Sequence, residues 1–159
     1  MLHIRLIVLG NLKESYWREA VAEYEKRLGA FAKIDIVELK EQRLPEDPSP
    51  AEITLALERE ADAILNAVPP RSFLVALCVE GKQLSSPELA DQLSHVMHQS
   101  GALTLVIGSS HGLSPRVKSA ADLRLSVSKL TFPHQMMRVL LLETIYRSLS
   151  ILHGTKYHK

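Results

Sequence analysis

Residues 103–115, Leu-Thr-Leu-Val-Ile-Gly-Ser-Ser-His-Gly-Leu-Ser-Pro, decide how this chain is read. Leu103 to Ile107 is a short apolar run of the kind expected of a central strand buried on both faces. It ends at Gly108 in a turn rich in glycine and serine. In open α/β sheets, ligands bind beyond the carboxyl ends of the strands. Gly108 and Gly112 would let a backbone approach a flat ligand and present free N–H groups to it. The plainer alternative is a strand-to-helix turn with no ligand.

Strand-like and helix-like segments alternate on both sides of this stretch, which gives the fold class: α/β, a mostly parallel sheet flanked by helices. Ile4–Leu9 reads as a strand. A helix follows, with Trp17, Ala20, Val21, Tyr24 and Leu28 on its apolar face and Gly29 as its stop. Ile34–Leu39 is a second strand. The charged, proline-bearing segment 40–50 is the long loop. The next helix carries Ile53, Leu57, Ala61, Ile64 and Leu65. Phe73–Val79 is another strand buried on both faces. Ser86 and Pro87 suit the start of a helix with Leu89, Leu93, Val96 and Met97 inward, closed by Gly101. Leu123, Leu125 and Val127 alternate with Arg124 and Ser126 in a strand with one wetter face. The last helix, about 133–152, is apolar over much of its circumference and must be buried on more than one side. A second copy of the chain is the simplest source of that burial, so the helix predicts a homodimer.

Composition sets the outer bounds. The chain has 159 residues, 46% apolar and 23% charged, which are values for one globular domain spanning 1–159. At this length about 70% of the unfolded surface can be buried without a staple. The single cysteine, Cys78, permits no internal disulfide and fits a reducing compartment. No run suits a signal peptide or a membrane span, so a cytoplasmic, non-membrane protein is expected. Residues 113–159 hold eight Lys/Arg and two acids, a net of +6, whereas residues 1–112 carry a net of −5. A polyanion would be drawn to the C-terminal part.

Further motifs qualify for chemistry. Neither the dinucleotide G-x-G-x-x-G nor a P-loop is present, which leaves a nucleoside cofactor without a pyrophosphate. Ser126 to His134 joins the last strand to the last helix. Thr131 could cap that helix, and the positive end of its dipole should favour neutral His134. The tail Gly154-Thr155-Lys156-Tyr157-His158-Lys159 combines a phenol, an imidazole and two amines, suited to phosphate and to stacking on a base. Glu143 and Arg147 are spaced to form an i, i+4 pair. His95 and His98 have no carboxylate or cysteine at a convincing spacing, so no metal is expected. Cys78 reads as packing.

In order, I-G-S-S-H-G-L-S-P (107–115), L-S-V-S-K-L-T-F-P-H-Q-M-M-R-V-L-L-L-E-T-I-Y-R (125–147) and the terminal Y-H-K (157–159) closely resemble the ribosomal RNA large subunit methyltransferase H family, of the SPOUT class. The likeness is strongest from about Leu103 to Lys159. It implies a C-terminal trefoil knot, otherwise rare, and a homodimer. It implies methyl transfer from S-adenosylmethionine to N3 of a pseudouridine in large-subunit ribosomal RNA, with the assembled ribosome as substrate. The cofactor contacts it implies fall on Leu77, Gly108, Val127, Ser128, Lys129, Leu130, Thr131 and Phe132. Ser109 stands where family members often have a second glycine. Candidate catalytic groups are His158 as base or orienting group, Tyr157 to stack, and Arg138 and Arg147 to stabilise charge or grip phosphate. The competing readings are a non-catalytic RNA- or ribosome-binding module, without cofactor affinity, and a flavodoxin-like protein with a bound flavin or nucleotide.

Overall fold

The apolar runs at 4–9, 73–79 and 103–107 become the three central strands of a five-stranded sheet. In the computed structural model, which describes all of residues 1–159, strands and helices alternate without exception. They are β1 (Leu2–Leu9), α1 (Ser15–Leu28), β2 (Ala32–Leu39), α2 (Pro50–Ala67), β3 (Phe73–Lys82), α3 (Ser86–Gln99), β4 (Ala102–Val106), α4 (Pro115–Ala120), β5 (Leu123–Leu125) and α5 (His134–Leu152). The strand order is β2-β1-β4-β3-β5 and every pairing is parallel. The expected mostly parallel sheet is therefore wholly parallel.

Helices cover both faces, so the central strands are apolar at most positions, with Thr104 buried among them, and their side chains divide by period two. Leu2, Ile4, Leu6 and Val8 of β1 join Val75, Leu77, Leu103 and Leu105 in the larger core, closed by α1, α3 and α5. Ile7, Leu9, Leu74, Ala76 and Val106 point the other way, under α2 and α4. Helix α5 buries Leu141, Leu142, Ile145, Ser148 and Leu149 at helical spacing against α1 and α3. That contact accounts for much of its apolar surface within one chain.

Local signals differ from expectation in two places. Gly29 stays right-handed, φ −57°, and its N–H bonds back to Glu25 and Arg27, so the helix stops without a left-handed residue. The cap of α3 is Ser85, not Ser86. Ser85 accepts from the Glu88 N–H while the Glu88 carboxylate takes the Ser85 N–H, a reciprocal capping box. The charged 40–49 segment packs on α2, where the Gln42 N–H donates to Glu60 at 3.0 Å.

Strand β3 bends as it meets β5: Leu77 and Lys82 both register with Leu125. Gly81 makes that possible. A Cβ there would lie 2.8 Å from the Arg124 carbonyl and the Leu125 carbonyl carbon. Gly81→Ala should therefore cost about 1–3 kcal/mol of folding stability, read from the urea midpoint at an unchanged slope.

Candidate functional site

The carboxyl ends of β3, β4 and β5 open into a pocket of about 670 Å³. Its floor is apolar, with Leu77, Ile107, Leu125 and Val127. Its walls are the turn 108–114, the segment 126–133 and the first turn of α5. Of the residues implied as cofactor contacts, Leu77, Gly108, Val127, Ser128, Leu130, Thr131 and Phe132 line it. The exposed Lys129 does not.

The 108–114 turn is folded on itself. A Cβ on Gly108 would meet the Gly112 carbonyl oxygen at 2.4 Å, and Ser109 and Gly112 form a bridge. Gly108 thus makes room for its own turn, and it also lines the pocket. Gly112, at φ +83°, supplies the left-handed residue that closes the turn. From outside, α2 holds the turn at both ends. The Ser109 hydroxyl donates to Glu60 at 3.1 Å and the Ser114 hydroxyl to Glu58, while Arg116 bridges Glu58 and Asp62.

The 126–133 segment is pinned at its start, where the Ser126 N–H donates to the Lys82 carbonyl at 2.9 Å. Ser128 then folds locally, accepting from Ser126 Oγ on its carbonyl and from the Leu130 N–H on its hydroxyl. The N–H groups of Val127, Ser128, Lys129, Thr131 and Phe132 make no hydrogen bond within the chain. They are free to read a ligand edge.

Thr131 does not cap α5. The cap position is Pro133, with no side-chain bond. His134 Nδ1 is buried without a partner. Burial pushes the His134 pKa below the usual histidine range; Glu41 pulls it back up and Arg138 pushes it down again, by less. The neutral form expected from the helix dipole is favoured, with burial as the larger cause. Half-buried Cys78 lines the pocket as well, and burial raises its thiol pKa, so it stays protonated.

The proposed catalytic groups lie elsewhere. Arg138 is 3% exposed. It is committed to Glu38 at 2.9 Å and to the carbonyls of Leu9 and Gly10. One chain therefore does not offer it to phosphate. The tail folds back on the far half of α5. Tyr157 donates to Glu143 at 2.8 Å and packs edge-on against Tyr146, Arg147 pairs with Glu143 at 2.6 Å and lies over the Tyr157 ring, and His158 Nδ1 is 3.4 Å from Arg147. Burial alone would raise the Glu143 pKa; hydrogen bonds from Tyr24, Tyr157 and Arg147 outweigh it and hold the carboxyl below its usual range. Arg147 is 13 residues beyond His134 on one helix, about 20 Å along its axis. Arg147, Tyr157 and His158 do not line the pocket of their own chain.

No three His, Cys, Asp or Glu side chains converge as metal ligands. His95 and His98 each turn back to a carbonyl on their own helix. No helix is long and apolar enough to cross a membrane.

Residues 2–158 match the family described as "Predicted SPOUT methyltransferase". The chain belongs to that family. The fold is also similar to a probable methylase family protein from Haemophilus influenzae Rd KW20, at a TM-score of 0.54 and 14% identity, over 98% of this chain and 70% of that one. SPOUT methyltransferases use S-adenosylmethionine as methyl donor. The pocket suits its adenosine half: an apolar slab for a flat ring, unbonded amides at the rim and an orphaned His134 Nδ1.

The lowered His134 pKa has a measurable sign. The unfolded chain takes up the proton first, so this contribution is complete above about pH 6.5 and is lost as pH falls toward the folded value. Thermal denaturation between about pH 8 and about pH 5 should show that loss in the wild-type chain. His134→Gln should flatten that part of the slope.

Proposed function

We propose that this protein transfers a methyl group from S-adenosylmethionine to N3 of a pseudouridine in large-subunit ribosomal RNA, on the assembled ribosome in the cytoplasm. The observation that carries the reading is the pocket where three strand ends meet, lined by seven of the eight residues that the family resemblance implies. The substrate assignment rests on the run of motifs from 107 to 159 and on the net charge of +6 after residue 112. The same resemblance gives a trefoil knot in the C-terminal segment.

When bound, the sulfonium of the cofactor supplies a methyl group already activated for displacement. The chain's own contribution is position. Leu77, Leu125 and Val127 would give the adenine an apolar bed, and the unbonded amides of Val127, Ser128, Lys129, Thr131 and Phe132 would be available to its polar edge. Neutral His134 sits at the wall without adding a positive charge beside a cationic ligand. Because the tail packs on α5 beyond the pocket and does not line it, the tail serves the pocket of a second copy, in a homodimer built on α5. There His158 takes the acceptor N–H proton, Tyr157 stacks on the base, and Arg147 faces the backbone phosphate. Arg138 acts by holding α5 to the ends of β1 and β2.

The test is transfer of labelled methyl to ribosomes from a strain lacking this protein, followed by mapping of the modified nucleotide. The expected product is one N3-methylated pseudouridine in the large subunit. His158→Ala should lower the rate at least about 100-fold with little change in cofactor affinity. Cofactor binding without any transfer, or no binding at all, would favour a non-catalytic ribosome-binding module.

A further inference from the structure

Between α2 and the 41–44 segment lies a second cavity of about 300 Å³, separate from the main pocket although Ser109, Ser110 and His111 wall both. Ala56, Leu57 and Glu60 line it from α2, and Leu44 adds to its apolar side. Arg43 and His111, both exposed, stand at its outer side. Glu60 is 2% exposed. One of its oxygens accepts the Gln42 N–H at 3.0 Å and the other the Ser109 hydroxyl at 3.1 Å. Both donors are neutral. Glu60 makes no ion pair, whereas Glu58 and Asp62 beside it on α2 share Arg116.

A carboxylate removed from water is costly without a cation. Burial pushes the Glu60 pKa up; the Gln42 and Ser109 donors pull it back, Glu41 raises it again and His111 lowers it. A carboxylate offers about four acceptor sites, and these donors fill two. The titratable and charged groups on the cavity are Glu41, Arg43, His111 and Glu60. With His111 neutral they sum to one negative charge. A buried acid beside an aliphatic wall suits a ligand with one cationic, hydrogen-bonding end and one apolar end.

We infer that this cavity is a binding site for a small primary alkylammonium ion, its ammonium on the remaining lone pairs of Glu60 and its alkyl chain against Leu44, Ala56 and Leu57. An ammonium carries three donors and no acceptor, so it completes the carboxylate without displacing Gln42 or Ser109. Its charge reverses the penalty that burial places on the ionised acid. The site does not depend on the methyl-transfer reading. Ser109 joins the two spaces, with its hydroxyl on Glu60 and its backbone in the shared wall.

An NMR titration of the full chain at neutral pH with n-butylammonium chloride tests it. Two controls separate the parts of the ligand: n-butanol has the chain without the charge, and tetramethylammonium chloride has the charge without N–H donors. The amine should give saturable shifts at the amides of Gln42, Glu60, Ser109 and His111, and bind at least about tenfold more tightly than either control. Glu60→Gln, which keeps an acceptor for the Gln42 N–H, should weaken the amine about tenfold or more. The three-ligand comparison on the wild-type chain stands whatever that variant does to folding. Equal responses to all three ligands, shifts that never saturate, or undiminished amine binding in folded Glu60→Gln would overturn the site. Shifts confined to residues 127–134 would put the amine in the main pocket and overturn it as well.

Discussion

Parallel strands put all their carboxyl ends on one edge of the sheet, and every loop leaving that edge must find partners for backbone groups the ladder no longer serves. Here the order β2-β1-β4-β3-β5 brings the ends of β4, β3 and β5 side by side. The 126–133 segment leaves five N–H groups unbonded within the chain. In a packed protein such groups face water or a ligand. The pocket is where the sheet's hydrogen bonding runs out over an apolar floor. The Gly81 bend and the Gly108–Gly112 contact shape its sides, because each puts backbone where a side chain would stand.

Helix α5 connects this edge to the rest of the molecule. Its two arginines illustrate how place decides role for one residue type. Arg138 sits near the strand ends, where unpaired carbonyls of Leu9 and Gly10 and the Glu38 carboxylate converge on its guanidinium. The guanidinium is buried while the Glu38 carboxylate is half exposed, so the two backbone carbonyls and the ion pair together tie helix to sheet. Arg147, more than two turns on, is partly exposed and meets Glu143, Tyr157 and His158. Glu143 organises that end, taking the Tyr157 hydroxyl and the Arg147 guanidinium on its two oxygens. The tail is thereby held in one orientation while its basic groups remain outward.

The sheet was legible because burial on both faces leaves a local trace: runs such as Phe73–Val79 and Leu103–Ile107 have no polar alternation to misread. The pocket was legible for a similar reason, since strand-exit turns are contiguous in sequence. What could not be read were contacts between distant segments. Nothing near Gly108 reveals that Gly112 fills its missing side chain. Arg138 looks like any helix arginine until Glu38, 100 residues away, is placed against it. Glu60 left one local clue, an acid three residues after Leu57 and four before Ile64, on the apolar stripe. A charge there must find burial and donors, and its donors come from residues 42 and 109.

The charge asymmetry of the chain acquires a physical meaning from this arrangement. Much of the negative charge around the turn belongs to Glu58, Glu60 and Asp62 on α2, and it is spent holding Ser109, Ser114 and Arg116. The positive excess after residue 112 culminates at the far end of α5, in Arg147, Lys156 and Lys159. On the proposed reading the two substrates differ in sign: a sulfonium cofactor that is cationic at its reactive centre, and a polyanionic RNA. A single basic site would attract one and repel the other. Arg116 and Lys118 beside the pocket are paired with Glu58, Asp62 and Glu80, which leaves the unpaired lysines of the tail as the cationic surface. On the proposed reading, a second chain brings tail and pocket together.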